Sequence, residues 1–131
     1  MTGIMISSLI AATLLLVQQT QPVPGLPERP ANLPELNAEQ TANLRCAVNF
    51  AMLAEGQKKG FERALAYPKL GDRGQEFFVR VMAQLMDEAQ LSRDDVEALT
   101  AYEVQLLRAA GPDGLDAVMP ACLSLLDASG L

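Results

Sequence analysis

Cys46 and Cys122 are the only two cysteines in a chain of 131 residues, and they stand 76 positions apart. If they pair, the first and last folded segments must lie side by side, which few small architectures allow. Each sits on an apolar stripe. Cys46, Phe50 and Leu53 fall at i, i+4 and i+7, with Leu44, Val48 and Ala51 alongside. Val118, Cys122 and Leu125 do the same near the other end, with Leu126 beside them. Such spacing gathers side chains on one face of an α-helix. Two cysteines on apolar faces pair in an oxidising compartment and stay as inert thiols in a reducing one. The compartment therefore decides, and the start of the chain bears on it.

The first 27 residues carry no charged side chain, and Glu28 is the first. Within them Ile4 to Val17, IMISSLIAATLLLV, has no strong helix breaker. A membrane-spanning helix needs about 20 apolar residues, whereas the core of an export signal needs roughly 7 to 15. Residues 1–21 are therefore expected to be a signal peptide, and the mature chain to be periplasmic or secreted. No Lys or Arg precedes the apolar core, and Gln18-Gln19-Thr20-Gln21 offers no cleavage site of the small-x-small kind. An uncleaved anchor is thus the second reading, and an N-terminal core helix the third.

Pro22, Pro24, Pro27, Pro30 and Pro34 follow. Each removes a backbone donor and steers its predecessor away from helix. The expectation for residues 22–36 is an extended, semi-rigid linker. Pro24 and Pro27 also fit a PxxP recognition ligand.

Residues 37–131 then read as one all-α domain, a small four-helix bundle closed by a Cys46–Cys122 disulfide. No run alternates like a strand, and no Asn-Gly hairpin occurs. Helices are expected at about 38–59, 73–90, 93–110 and 115–128. Asn37 with Gln40, Asp72 with Gln75, and Ser92 with Asp95 all have N-cap spacing. Lys58, Lys59 and Gly60 suit the end of the first helix. Phe61 to Tyr67 suggests an extra turn stopped by Pro68. Gly111-Pro112-Asp113-Gly114 reads as a loop, and Pro120 should kink or divide the last helix. The middle helices carry their own stripes: Phe78, Met82, Leu85 and Met86, widened by Phe77 and Val81, and then Val96, Leu99, Tyr102 and Leu106. The Met and Phe residues are expected to fill the core; the alternative is a groove for an apolar guest.

The composition excludes much chemistry. The chain has no histidine, so it has no Ser–His or Cys–His pair and no imidazole base. Zinc sites with histidine are impossible, and two cysteines cannot make a four-thiolate site. The dinucleotide glycine fingerprint and the phosphate-binding loop are missing from the sequence. Gly71-Asp72-Arg73-Gly74 matches a GxxG clamp, but Asp72 reads better as a helix cap. The acids Asp87-Glu88 and Asp94-Asp95-Glu97 lack the glycine-centred loop that calcium needs, and they suit helix starts better than glycoside hydrolysis. No enzyme activity, cofactor or metal is expected.

Charge is uneven. Residues 28–80 hold eight bases and seven acids, residues 81–131 two bases and nine acids, for a net charge of −6. Lys58, Lys59, Arg63, Lys69, Arg73 and Arg80 collect around the first interhelical connection. They are candidates for an anionic-partner surface, or they are matched by acids of the later helices, which is the favoured reading. Net acidity argues against nucleic acid. The expected partner is another protein, with membrane contact only through the N-terminal segment if it stays uncleaved. The function expected is that of a non-enzymatic interaction or binding protein outside the cytosol. The alternative is a stress-responsive periplasmic holdase or a carrier of an apolar guest. In outline the expected architecture resembles the small acid-activated periplasmic chaperones, also helical and tied by one disulfide. The resemblance carries no shared motif and assigns no residue a role.

Overall fold

The computed structural model describes residues 25–131; the expected signal at residues 1–21 and the first prolines lie outside the described residues. Four helices follow in order: α1 (Ala38–Lys58), α2 (Glu62–Leu65), α3 (Asp72–Glu88) and α4 (Arg93–Ala128). Among the described residues there is no strand, and no helix is long and apolar enough to cross a membrane. α1 is the hub, packing against α2, α3 and α4, while α3 also meets α4.

The helix ends follow from side-chain chemistry. Asn37 Oδ1 accepts from the Gln40 amide at 2.8 Å, and Gln40 Oε1 accepts from the Asn37 amide at 3.1 Å, the reciprocal box expected there. α1 stops where Gly60 takes φ 74°. The Phe61 N–H then bonds Gly56 O, and the Gly60 N–H bonds Gln57 O, which satisfies two otherwise orphaned carbonyls. α4 begins with a second box: Ser92 Oγ accepts from the Asp95 amide at 3.1 Å, and Asp95 Oδ2 from the Ser92 amide at 2.9 Å. These bonds favour the ionised carboxylate. The Ser92 backbone bond first, and its hydroxyl second, hold the Asp95 carboxyl below its ordinary value.

Three boundary expectations are corrected. Asp72 is not a cap but the first residue of α3; Gly71 precedes it at φ 55° with no side-chain cap. α3 ends at Glu88 because Gln90 turns left-handed at φ 53°. The Gly111–Gly114 loop is a single residue. Only Gly111 (φ 67°, ψ −167°) leaves helical geometry inside α4, and the helix resumes at Pro112. Proline at the first position of a helix loses no bond, because that N–H has no intrahelical acceptor anyway. α4 is therefore two arms, residues 93–110 and 112–128, joined by an elbow. Pro120 leaves the second arm helical.

The disulfide joins α1 to the second arm, with Cys46 and Cys122 Sγ 2.08 Å apart and their Cα atoms 5.2 Å apart. Around it lie Leu44, Val48, Phe50, Met119 and Leu126, all almost fully buried. Phe50 meets the edge of Phe77 on α3, with ring centroids 5.3 Å apart. The inward face of α3 is Gly74, Phe77, Val81 and Leu85, not the Phe78–Met82–Met86 line. Phe78 and Met82 are only half-buried, and Met86 is exposed. A Cβ on Gly74 would stand 3.5 Å from Phe50 O, so α3 approaches α1 closely there.

The described part of the proline segment is irregular, as its composition requires, but it does not stand clear of the domain. Leu33 is buried in the core. Arg29 donates to Pro34 O at 2.8 Å and lies over the Tyr102 ring, 5.8 Å from its centroid. The segment is a strap along the bundle rather than a free spacer.

Candidate functional site

The break at Gly111 shapes a cleft. Where the two arms of α4 bend, they stand off from the C-terminal half of α1, and α2 closes the third side. The resulting cleft of about 310 Å³ is lined by Asn49, Met52, Leu53 and Gly56 of α1, by Phe61, Arg63, Ala64 and Tyr67 of the α2 region, and by Leu107, Arg108, Gly111, Pro112, Leu115 and Asp116 of the elbow. Its size is at the lower end of small-molecule sites.

Each wall has a local cause. Gly56 is buried, and a Cβ there would sit 3.0 Å from Ala64 Cβ, so glycine allows α2 to pack onto α1. Gln57 holds the following loop: its Nε2 donates to Ala64 O and Pro68 O at 3.0 Å, and its Oε1 accepts from the Leu70 amide at 3.1 Å. Leu70 is thereby drawn into the core. Opposite, the conformation of Gly111 is one that glycine alone adopts readily. A Cβ on Gly114 would collide with Ala110 Cβ, so the elbow needs glycine at both places. Arg63 pairs with Asp116 at 3.4 Å, and the Tyr67 hydroxyl donates to the same carboxylate, so α2 is tied to the elbow across the rim.

The interior is mostly apolar, and two of its side chains face water: Phe61 is 58% exposed and Met52 36%. Two polar groups have no partner among the described residues. Asn49 is 1% exposed, and its Nδ2 has no hydrogen-bond acceptor. Arg108, on the opposite wall, has no carboxylate within ion-pairing distance. Asn49 and Leu107 also line a neighbouring cleft of about 340 Å³, which holds the Arg45–Glu103 pair at 3.4 Å and is bordered by Leu26. A second apolar depression, of about 520 Å³, runs between α3 and α4 along Phe78, Met82, Met86 and Val96.

The six bases singled out from sequence go to different places. Lys59 pairs with Glu55 one turn back at 3.3 Å. Arg63 belongs to the elbow cleft. Arg73 donates to Leu131 O at 2.9 Å and pairs with Asp127 at 3.3 Å. Arg80 donates to Ser129 O at 2.9 Å, so these two arginines cover the negative end of α4. Lys58 and Lys69 have no carboxylate partner among the described residues and both line a depression with Gln57 and Tyr67. Cys46 and Cys122 are joined and serve the core.

Sequence reasoning passed over Asn49, Met52, Leu107, Arg108 and Leu115. The available signal was Asn49, three residues after Cys46 and so on the buried face of α1, where an amide needs a partner. Among the described residues no group of three or more acidic, histidine or cysteine side chains could hold a metal ion. No protein family, curated protein or solved structure matches this chain.

Proposed function

We propose that this chain is a small, non-enzymatic binding protein of an oxidising, extracytosolic compartment, and that it takes an apolar guest into the elbow cleft. The carrying observation is the cleft itself: a small, mostly apolar hollow with Phe61 and Met52 at its mouth, framed by glycines whose only evident role is its shape. Water leaves such a surface readily when an apolar group arrives. The disulfide supports the compartment, since such bonds persist where thiols are not kept reduced. The lack of histidine and of assembled acid–base groups supports binding rather than catalysis.

The test is titration of the oxidised chain with an environment-sensitive apolar dye at neutral pH. One saturable site per chain is expected. Met52→Asp, at an exposed position, should abolish it without changing the melting temperature. Dye binding unaffected by Met52→Asp would place the guest elsewhere.

One observation favours a second reading, the acid-responsive holdase. The three ion pairs that tie α4 to other helices all put the acid on α4: Arg45–Glu103 to α1, Arg63–Asp116 to α2 and Arg73–Asp127 to α3. Breaking these pairs would loosen α4 from all three partners together. Rescue of an aggregating client at low pH but not at neutral pH would support this reading; no rescue at either pH would exclude it.

A further inference from the structure

We infer that the guest of the elbow cleft is a small organic carboxylate with an apolar body, its oxygens held by Asn49 and Arg108. This rests on the cleft reading above and adds the chemistry of the ligand. Asn49 is the first reason. A buried amide donor with no acceptor costs about 1–3 kcal/mol, and Asn49 is 1% exposed with its Nδ2 unpartnered. Nδ2 can only donate, so its complement is an acceptor oxygen.

The balance of charge at the mouth is the second reason. The chain as a whole carries −6, but the rim of this cleft holds two arginines and one aspartate. That aspartate, Asp116, is already engaged by Arg63 and Tyr67. Arg108 is left uncompensated, so the mouth favours an anion. Its guanidinium matches a carboxylate in plane, with two parallel donors. Asn49 and Arg108 rise from the two facing walls and line the same space. The remaining lining takes the apolar body.

Size is the third reason. A volume of about 310 Å³ holds roughly ten water-sized groups, which suits a chain or ring carboxylate of about that many non-hydrogen atoms. Nδ2 is shielded from solvent, so the ligand reaches it only by a local shift of the lining. Met52, unbranched and 36% exposed, lines the cleft and has the freedom to move.

The experiment compares octanoate with 1-octanol on the full oxidised chain, by titration calorimetry and by the side-chain amide resonances of Asn49. Octanoate should bind once per chain, at least about tenfold more tightly than octanol, because a hydrogen bond to a charged group is lost with the alcohol. It should also shift the Asn49 amide signals. Asn49→Leu and Arg108→Gln should each remove that margin by weakening octanoate binding. Asn49→Leu removes an unsatisfied donor and Arg108 is exposed, so both variants should fold. Equal binding of the two probes, or a margin that survives both substitutions, would overturn the carboxylate assignment and leave the apolar cleft standing. Failure of both probes to bind below about 1 mM would overturn both readings.

Discussion

Reducing the Cys46–Cys122 bond should cost this domain a large part of its stability, chiefly through the unfolded state. The bond closes a loop of 76 positions. On the chain-entropy relation, freeing such a loop favours the unfolded ensemble by about 4.5 kcal/mol. Small domains have only about 5–15 kcal/mol in total. For a domain of this size that loss corresponds to a fall in melting temperature of about 15–30 °C. The packing contribution should be smaller, since both sulfurs are buried and the thiols would occupy nearly the same volume. Urea unfolding followed by far-ultraviolet circular dichroism, with and without reductant, separates the two effects. The midpoint should drop, and the denaturant slope should rise, because the uncrosslinked unfolded chain exposes more surface. The Cys46→Ala/Cys122→Ala double variant should behave like the reduced protein. A loss below about 1 kcal/mol would refute the argument, because the crosslink would then not be restricting the unfolded chain. A large loss with an unchanged slope would locate the effect in native packing instead.

Three further outcomes follow from single contacts. Gly114→Ala should destabilise by about 1–3 kcal/mol, despite alanine's better helix propensity, because the new methyl meets Ala110 Cβ; adding Ala110→Gly should recover most of the loss in the same melts. Arg45→Met should cost about 1–3 kcal/mol by leaving the buried Glu103 carboxylate unpaired, and Glu103→Gln in that background should restore part of it. Asp95 has a lowered folded value, so its contribution is fully present above the unfolded value and disappears as pH falls through the folded one. The stability gap between wild type and Asp95→Asn should therefore be constant near neutrality and close on acidification, as read by denaturation at stepped pH.

Much of the fold was legible because its determinants are local. The boxes at Asn37–Gln40 and Ser92–Asp95 are each written within four residues, and Gly60 marks its own turn. The cysteines were legible as a pair because each lies on an apolar stripe and the chain holds no others. The inward face of α3 was harder to read. Phe77-Phe78, Val81-Met82 and Leu85-Met86 are adjacent apolar pairs, so two stripes one residue apart fit equally well; the position of α1 decides between them. Gly-Pro-Asp-Gly has the composition of a loop, yet Pro112 at the start of an arm costs no hydrogen bond, and one residue makes the turn. The burial of Glu103 left no local sign in the sequence, because its partner, Arg45, is 58 positions away. The cleft left no local trace for a similar reason. Its walls come from α1, α2 and both arms of α4, and no single segment displays it.

Methyl chemical-shift mapping shows most directly where an apolar guest sits. On titrating the oxidised, methyl-labelled chain with the apolar dye, the signals of Met52, Leu53, Leu107 and Leu115 should shift together and saturate at one equivalent. Shifts confined to Met82, Met86 and Val96, in the depression between α3 and α4, would contradict the elbow-cleft site, as would no saturable shift at all.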